Sequence, residues 1–269
     1  MPADGLVSFM EEIRNSEVMS VQRQDPYYRT HPEVGARISI LRQRAEQITE
    51  KSNPFPEHFF TEMDMMQAKL IGFLQPRAAF VKYPPTDLST PARYARAIAA
   101  HQNHDLSHAL KEVEALVALE PDNPYFHELH GQILFENSRF EESIAPHRRS
   151  VELAPGKALL YVNLARSLIS LNTEESATEA ETLLHKALLL EPANAFAWKQ
   201  MSFALGALGR DAEAELATAE SAYVIGDHQT AYMFARRAME ELPENTPKWR
   251  RADDIAAVTD PRLAGGNRM

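Results

Sequence analysis

Leu119-Glu120-Pro121, Leu153-Ala154-Pro155 and Leu190-Glu191-Pro192 each close a run of residues with helical apolar spacing. The three prolines lie 34 and 37 residues apart. Ahead of them, small and apolar residues recur along the chain: Ala109, Val113, Leu116 and Val117; then Ser143, Ile144 and Val151; then Ala180, Leu184, Ala187 and Leu188. That spacing gathers one stripe on one helix face. The small members let a neighbouring helix come close. Proline then stops each helix, because it has no N–H to donate and its ring clashes with the preceding turn. The three extra residues of the third unit fall in Asn172-Thr173-Glu174-Glu175-Ser176, where a longer loop costs little closure entropy.

A period of about 34 residues built on a helix–turn–helix unit is that of a tetratricopeptide repeat. The expected fold class is all-α: a tetratricopeptide-repeat superhelix preceded by a few non-repeat helices. Beyond Pro192, helices are predicted over Phe196–Leu208, Ala212–Ile225 and Gln229–Leu242, broken at Gly209-Arg210-Asp211 and Gly226-Asp227. Pro247–Val258 is predicted to close the stack, with Trp249 and Ile255 inward, since a repeat array needs an atypical end to cover its last apolar face. The first ninety residues do not repeat. Helices are predicted over Gly5–Asn15, Pro32–Lys51 and Phe59–Leu74, with Asn53-Pro54-Phe55-Pro56 as a breaker. Pro76, Pro84, Pro85 and Pro91 mark a linker. The expected division is 1–52, then a helical connector and linker over 53–90, the repeats over 91–258, and a disordered tail over 259–269.

The 269 residues carry a net charge of −10, which argues against a general nucleic-acid or anionic-membrane binder. There is no cysteine, and so no disulfide framework, thiolate zinc site or thiol nucleophile. Ten glycines stand against 17 prolines, and GxGxxG, GxxxxGK and GxSxG are all missing. No apolar run of ~18 residues is present, so no membrane span is expected. Met1-Pro2-Ala3-Asp4-Gly5 has neither a basic nor an apolar signal region, so no secretory signal is expected in the chain as written.

Stacked repeats present a concave groove to a peptide or protein partner. Alignment on the prolines places Tyr94 and Ile98 on the first helix of the first unit, and Tyr125, Glu128 and Gln132 on that of the second. Val162 and Arg166, then Lys199 and Phe203, follow on the third and fourth. These positions are expected to line the groove, with Arg166 and Lys199 taking carboxylate-bearing groups, which guanidinium forks match well.

Other constellations have plainer readings. In His127-Glu128-Leu129-His130 the histidines are three apart, not the four of a zinc-protease helix. His101, His104 and His108 share helical spacing, but His104-Asp105 falls at a predicted turn. Glu11-Glu12, Glu141-Glu142 and Glu174-Glu175 are adjacent pairs, which point in different directions on a helix and suit solvated faces. Met63, Met65 and Met66 read as filler at the junction with the repeats or as an adaptable surface.

Asp25-Pro26-Tyr27-Tyr28-Arg29-Thr30-His31-Pro32, Ala68-Lys69-Leu70-Ile71-Gly72-Phe73-Leu74, Tyr94-Ala95-Arg96-Ala97 and Glu128-Leu129-His130-Gly131-Gln132-Ile133-Leu134 form an ordered set with the repeats. Together they resemble the C-terminal half of BepA-like zinc metalloproteases, periplasmic members of the HtpX-like peptidase family that carry a tetratricopeptide domain. The resemblance runs from about Gly5 to Val258. It implies that residues 1–52 are the end of a metalloprotease domain and that the repeats dock substrates or outer-membrane assembly proteins. It also implies that zinc is the cofactor of the complete enzyme. His31 is the residue it assigns to the zinc's open position. HExxH and the third, glutamate ligand are missing. The chain alone is therefore expected to hold no cofactor, to have no catalytic residue and to cleave nothing. Two alternatives stand beside this reading. One is a zinc endopeptidase of outer-membrane protein quality control, if the catalytic half is supplied. The other is a stand-alone chaperone-like adaptor. The resemblance implies the periplasm; the lack of a signal implies the cytoplasm if the chain is made as written.

Overall fold

The structure is a computed structural model that describes residues 7, 9–11, 34–47 and 56–262. His31 and the Asp25–Pro32 stretch lie outside the described residues, as does 263–269. The chain divides into a unit of residues 1–63 and a unit of residues 64–269. In the first, helix α1 (Val34–Gln47) buries Ile38 and pairs Arg42 with Glu11. Helix α2 (Glu57–Leu74) crosses the division, and the unit that holds the repeats begins inside it.

Five helix pairs follow one another in the second unit: α4 (Thr90–Gln102) with α5 (Leu106–Leu119), α6 (Pro124–Glu136) with α7 (Phe140–Leu153), α8 (Ala158–Ile169) with α9 (Glu174–Leu190), α10 (Ala195–Ala207) with α11 (Asp211–Val224), and α12 (His228–Glu241) with α13 (Pro247–Thr259). Among the described residues there is no strand. A short α3 (Pro76–Lys82) precedes the pairs, where the prolines predict only a linker; Pro76 sits in its first turn, where the missing N–H costs nothing. The extra residues of the third unit are not a loop insertion. They lengthen α9, which has 17 residues against 14 in both α5 and α7. Thr173 and Ser176 form a capping box that lets the helix start early.

The pairs are punctuated by local chemistry. Asp105, Asn123, Asn194, Asp227 and Thr246 each accept a backbone N–H of the helix they precede, satisfying a donor the helix cannot. Four of the turns hold a left-handed residue with a common hydrogen-bond pattern, at His104, Ser138, Gly209 and Gly226. The N–H of the next residue then reaches back over the helix end: Asp105 to Ala100, Arg139 to Leu134, Arg210 to Leu205 and Asp227 to Ala222, at 2.9–3.0 Å. Pro146 lies inside α7 and removes one hydrogen bond without ending the helix.

The core is a chain of three clusters. The first joins Ala68 of α2 to Tyr94, Ala95 and Ile98 of α4 and to Val113, Leu116, Phe126 and Ile133 of the next helices. The second centres on Val162, Leu164, Leu184, Leu188 and Met201. The third holds Ala231, Ala235, Ala252 and Ile255 with Trp249 against it. The front of the stack is pinned by a charge. Arg96 has no exposed surface; its Nη1 donates to the carbonyls of Pro84 (2.9 Å) and Asp87 (2.8 Å), and its Nε to Glu112 of α5 (2.9 Å). The segment between α3 and α4 is thereby tied to the first pair.

Candidate functional site

The first helices of the pairs converge on a cavity of about 440 Å³. Tyr94 of α4, Tyr125 and Glu128 of α6, Leu159, Asn163 and Arg166 of α8 and Phe196 of α10 line it, and Lys69 and Phe73 of α2 close one side. Helical spacing explains the set: 125, 128, 129 and 132 share one face of α6, and 159, 163 and 166 one face of α8. Helix α2 reaches the cavity because Gly72 has no side chain. A Cβ there would sit 2.9 Å from the Cβ of Ile98 and 3.0 Å from the Ala95 carbonyl oxygen.

The cavity mixes exposed apolar surface with charge. Tyr125, Leu159 and Phe196 are 49%, 52% and 41% exposed. Arg166 is half-buried, its guanidinium 4.5 Å from the Phe135 ring centroid and 5.4 Å from that of Phe196, and burial pushes its pKa down. Asn163 donates its amide N–H to Glu128 at 3.0 Å; burial raises the Glu128 carboxyl, with Lys69 opposing and Glu136 adding to the rise. Burial, and secondarily the Glu128 charge, push the Tyr94 hydroxyl up to about 12, so it is a neutral donor at all ordinary pH. Beneath the cavity, His147 Nδ1 meets the Ser167 hydroxyl at 3.0 Å, and Ser143 donates to Ser167 at 2.8 Å. The His147 ring packs closely against Gly131, and its buried Nε2 has no hydrogen-bond partner among the described residues. Burial first, then the Arg166 and His130 charges, pull its pKa down to about 4.

The structure brings Tyr94, Tyr125, Glu128, Gln132 and Arg166 together around this cavity. Two expected positions are corrected. Ile98 and Val162 have no exposed surface and belong to the core. Ile98 is covered by α2 at Gly72, and Val162 packs into the central cluster. Lys199 and Phe203 are exposed on α10 and do not line the cavity. Sequence reasoning missed Lys69, Phe73, Leu159, Asn163 and Phe196. Leu159, Asn163 and Phe196 carried a usable signal, since each lies three or four residues from an expected position on the same helix. His101 and Glu136 pair at 2.7 Å between α4 and α6, and His104 is the turn residue. His127 bonds the Pro121 carbonyl oxygen at 2.8 Å. The paired glutamates at 141–142 and 174–175 occupy first turns, where the helix dipole favours them. No helix among the described residues is long and apolar enough to cross a membrane.

No protein-family model matches the chain. No curated protein matches it either. Among solved structures it is similar to MamA AMB-1, with 16% identity and a TM-score of 0.53 over 63% of this chain and 99% of that one. MamA MSR-1 matches with 15% identity and a TM-score of 0.51 over 63% of this chain and 97% of that one. A Pseudomonas aeruginosa PilF structure matches at 17% identity and a TM-score of 0.46, over 72% and 98% of the two chains. At such identities the likeness is one of fold: the chain is an all-α tetratricopeptide-repeat superhelix preceded by non-repeat helices.

Proposed function

We propose that the repeat array is a protein-interaction module that holds a segment of a partner chain in the cavity between α2 and the first helices. The observation that supports it is the convergence of half-exposed Tyr125, Leu159 and Phe196 on one concave site beside polar groups. A few anchors of this sort, among which tyrosine and arginine are enriched, carry most of the energy of protein interfaces. The test is capture on an array of short peptides, comparing the native chain with a Tyr125→Ala, Phe196→Ala double variant whose helicity is unchanged. Signal lost by about tenfold or more on most captured peptides is the expected result, since two anchors of ~1–2 kcal/mol are removed. Capture that survives the double variant refutes the docking site.

The finer reading is that the module belongs to a BepA-like zinc metalloprotease and works in the periplasm on outer-membrane assembly proteins or their misassembled products. Its support is the set of residues from Asp25 to Leu134 quoted above. Zinc would then belong to the complete enzyme, with His31 contributing. Among the described residues no three His, Asp or Glu side chains come together to hold a metal ion, so these residues do not fit a zinc site and no chemical step is assigned to them. Proteolysis that appears only when an HExxH-bearing fragment is added, and that changes with His31→Ala, is the result this reading expects. No proteolysis with any such fragment favours the adaptor reading.

A further inference from the structure

Among the described residues, the arginine side chains withdrawn from water are paired, with one exception. Among the described residues, Arg93 and Arg96 hold Glu112, Arg139 holds Glu142, and Arg210 holds Glu181 and Glu213. Arg166 is also half-buried, yet no described carboxylate lies within 4.0 Å of it and no described acceptor takes its N–H groups. Its neighbours are the rings of Phe135 and Phe196, which attract a cation but accept no in-plane hydrogen bond. The acids nearby are already engaged. Glu128 takes the Asn163 amide, Glu136 takes His101 and Gln132, and Glu191 takes Asn194. Lys69 and Lys157 line the same cavity, and neither has a described carboxylate within 4.0 Å. The cavity thus gathers three cations with no carboxylate in ion-pair contact among the described residues, although the charge of Glu136 reaches Arg166 and that of Lys69 reaches Glu128, in a chain whose net charge is −10.

We propose that the occupant of the cavity is an extended acidic segment of a partner protein, with one side-chain carboxylate forked onto Arg166 and apolar neighbours on Tyr125 and Leu159. This rests on the docking reading above and names the chemistry of its partner. Lys157 stands at the N-cap of α8 and Arg166 lies nine residues further on, about two and a half helical turns away, so the two cations border the cavity from different sides of that helix. A segment with more than one carboxylate can therefore meet Arg166 with one and leave the other to a lysine.

The experiment is fluorescence anisotropy with an N-terminal fluorescein and a C-terminal amide on Gly-Asp-Leu-Phe-Leu-Asp-Gly, and on the same peptide with both Asp replaced by Asn. Blocking both ends removes a terminal carboxylate as the source of binding. The acidic peptide is expected to bind the native chain at least tenfold more tightly than the Asn peptide, with the difference shrinking as salt is raised. In Arg166→Met, which keeps an unbranched side chain between the two rings, the preference is expected to fall below threefold; Arg166→Gln serves as a second variant if the first loses helicity. Equal affinity of the two peptides for the native chain overturns the proposal but leaves the docking reading intact. A preference that persists in both variants overturns the role of Arg166. Binding of neither peptide overturns the proposal as well, and the peptide array then decides the docking reading separately.

Discussion

Replacing Arg96 by methionine is the most informative single perturbation of the fold. Its side chain has no exposed surface and donates to the carbonyls of Pro84 and Asp87 and to both oxygens of Glu112. Burial by itself raises the Glu112 carboxyl, but the Arg96 hydrogen bond and charge, then those of Arg93, reverse this and hold it below the usual carboxylate range. Methionine fills much of the volume but strands the carbonyls of Tyr83, Pro84 and Asp87, and leaves a carboxylate at 8% side-chain exposure with Arg93 at 3.0 Å and the His108 ring at 3.7 Å. Removing one partner of a buried pair costs ~3–5 kcal/mol, whereas replacing both by apolar groups is often near neutral. Arg96→Met is therefore expected to lower stability by ~3–5 kcal/mol, and adding Glu112→Leu to recover more than half of that loss. Urea titration followed by far-ultraviolet circular dichroism measures both. Because the cluster ties the segment at 83–90 to the first pair, amide exchange in α3 and α4 is expected to accelerate first. A cost under ~1 kcal/mol for the single variant, or a double variant as unstable as the sum of its parts, refutes the reasoning.

Acid should destabilise the protein through His147. The unfolded chain takes this proton near pH 6.5, while the folded one refuses it until about 4, so stability falls as pH drops through that window, by ~3 kcal/mol in all. His147→Gln is expected to flatten the dependence between pH 6.5 and 4, and an unchanged difference in urea midpoints between those pH values counts against it. Gly131→Ala would place a Cβ 2.3 Å from His147 Cδ2, and is expected to cost ~1–3 kcal/mol, with much less in a His147→Ala background. Leu188→Ala, at 7% exposure in the central cluster, should cost ~2–5 kcal/mol; a midpoint unchanged within error would mean that the α9 face is misassigned.

The repeat architecture was legible because its signals are local. Proline after Leu119, Leu153 and Leu190, and glycine at 209 and 226, stop helices through the geometry of a few adjacent residues. The site was legible only by half. Tyr125, Glu128, Gln132 and Arg166 follow from helical spacing, but the same spacing also selects Ile98 and Val162, which are core. Whether a position on the groove side faces partner or core depends on what lies opposite. For Ile98 that is Gly72, 26 residues earlier, on a helix with no repeat pattern of its own. Arg96 was hidden for a related reason. A charged residue in a helix reads as solvated, and the carbonyls that bury it are contributed by an irregular segment. Likewise the third unit's extra residues read as a loop, because a period fixes the length of a unit but not its division between turn and helix.

The docking of α2 through Gly72 also sets an order of events during synthesis. Every helix pair from α4 onward finds its main contacts in the pair made just before or after it, so each closes a short loop and needs little of the chain to be present. Helix α2 is the exception. Its inner face, Ala68 and Gly72, has no surface to rest on until α4 has been made, and the cavity it flanks is incomplete until α8 and α10 follow. On a ribosome adding residues at about 5–20 per second, residues 74 to 207 take roughly 7–27 s, during which that face of α2 stays uncovered or only partly housed. The helix that walls the cavity is thus made before every helix pair yet waits for the fourth pair before its surroundings are finished, which makes α2 a place where a chaperone would gain by waiting.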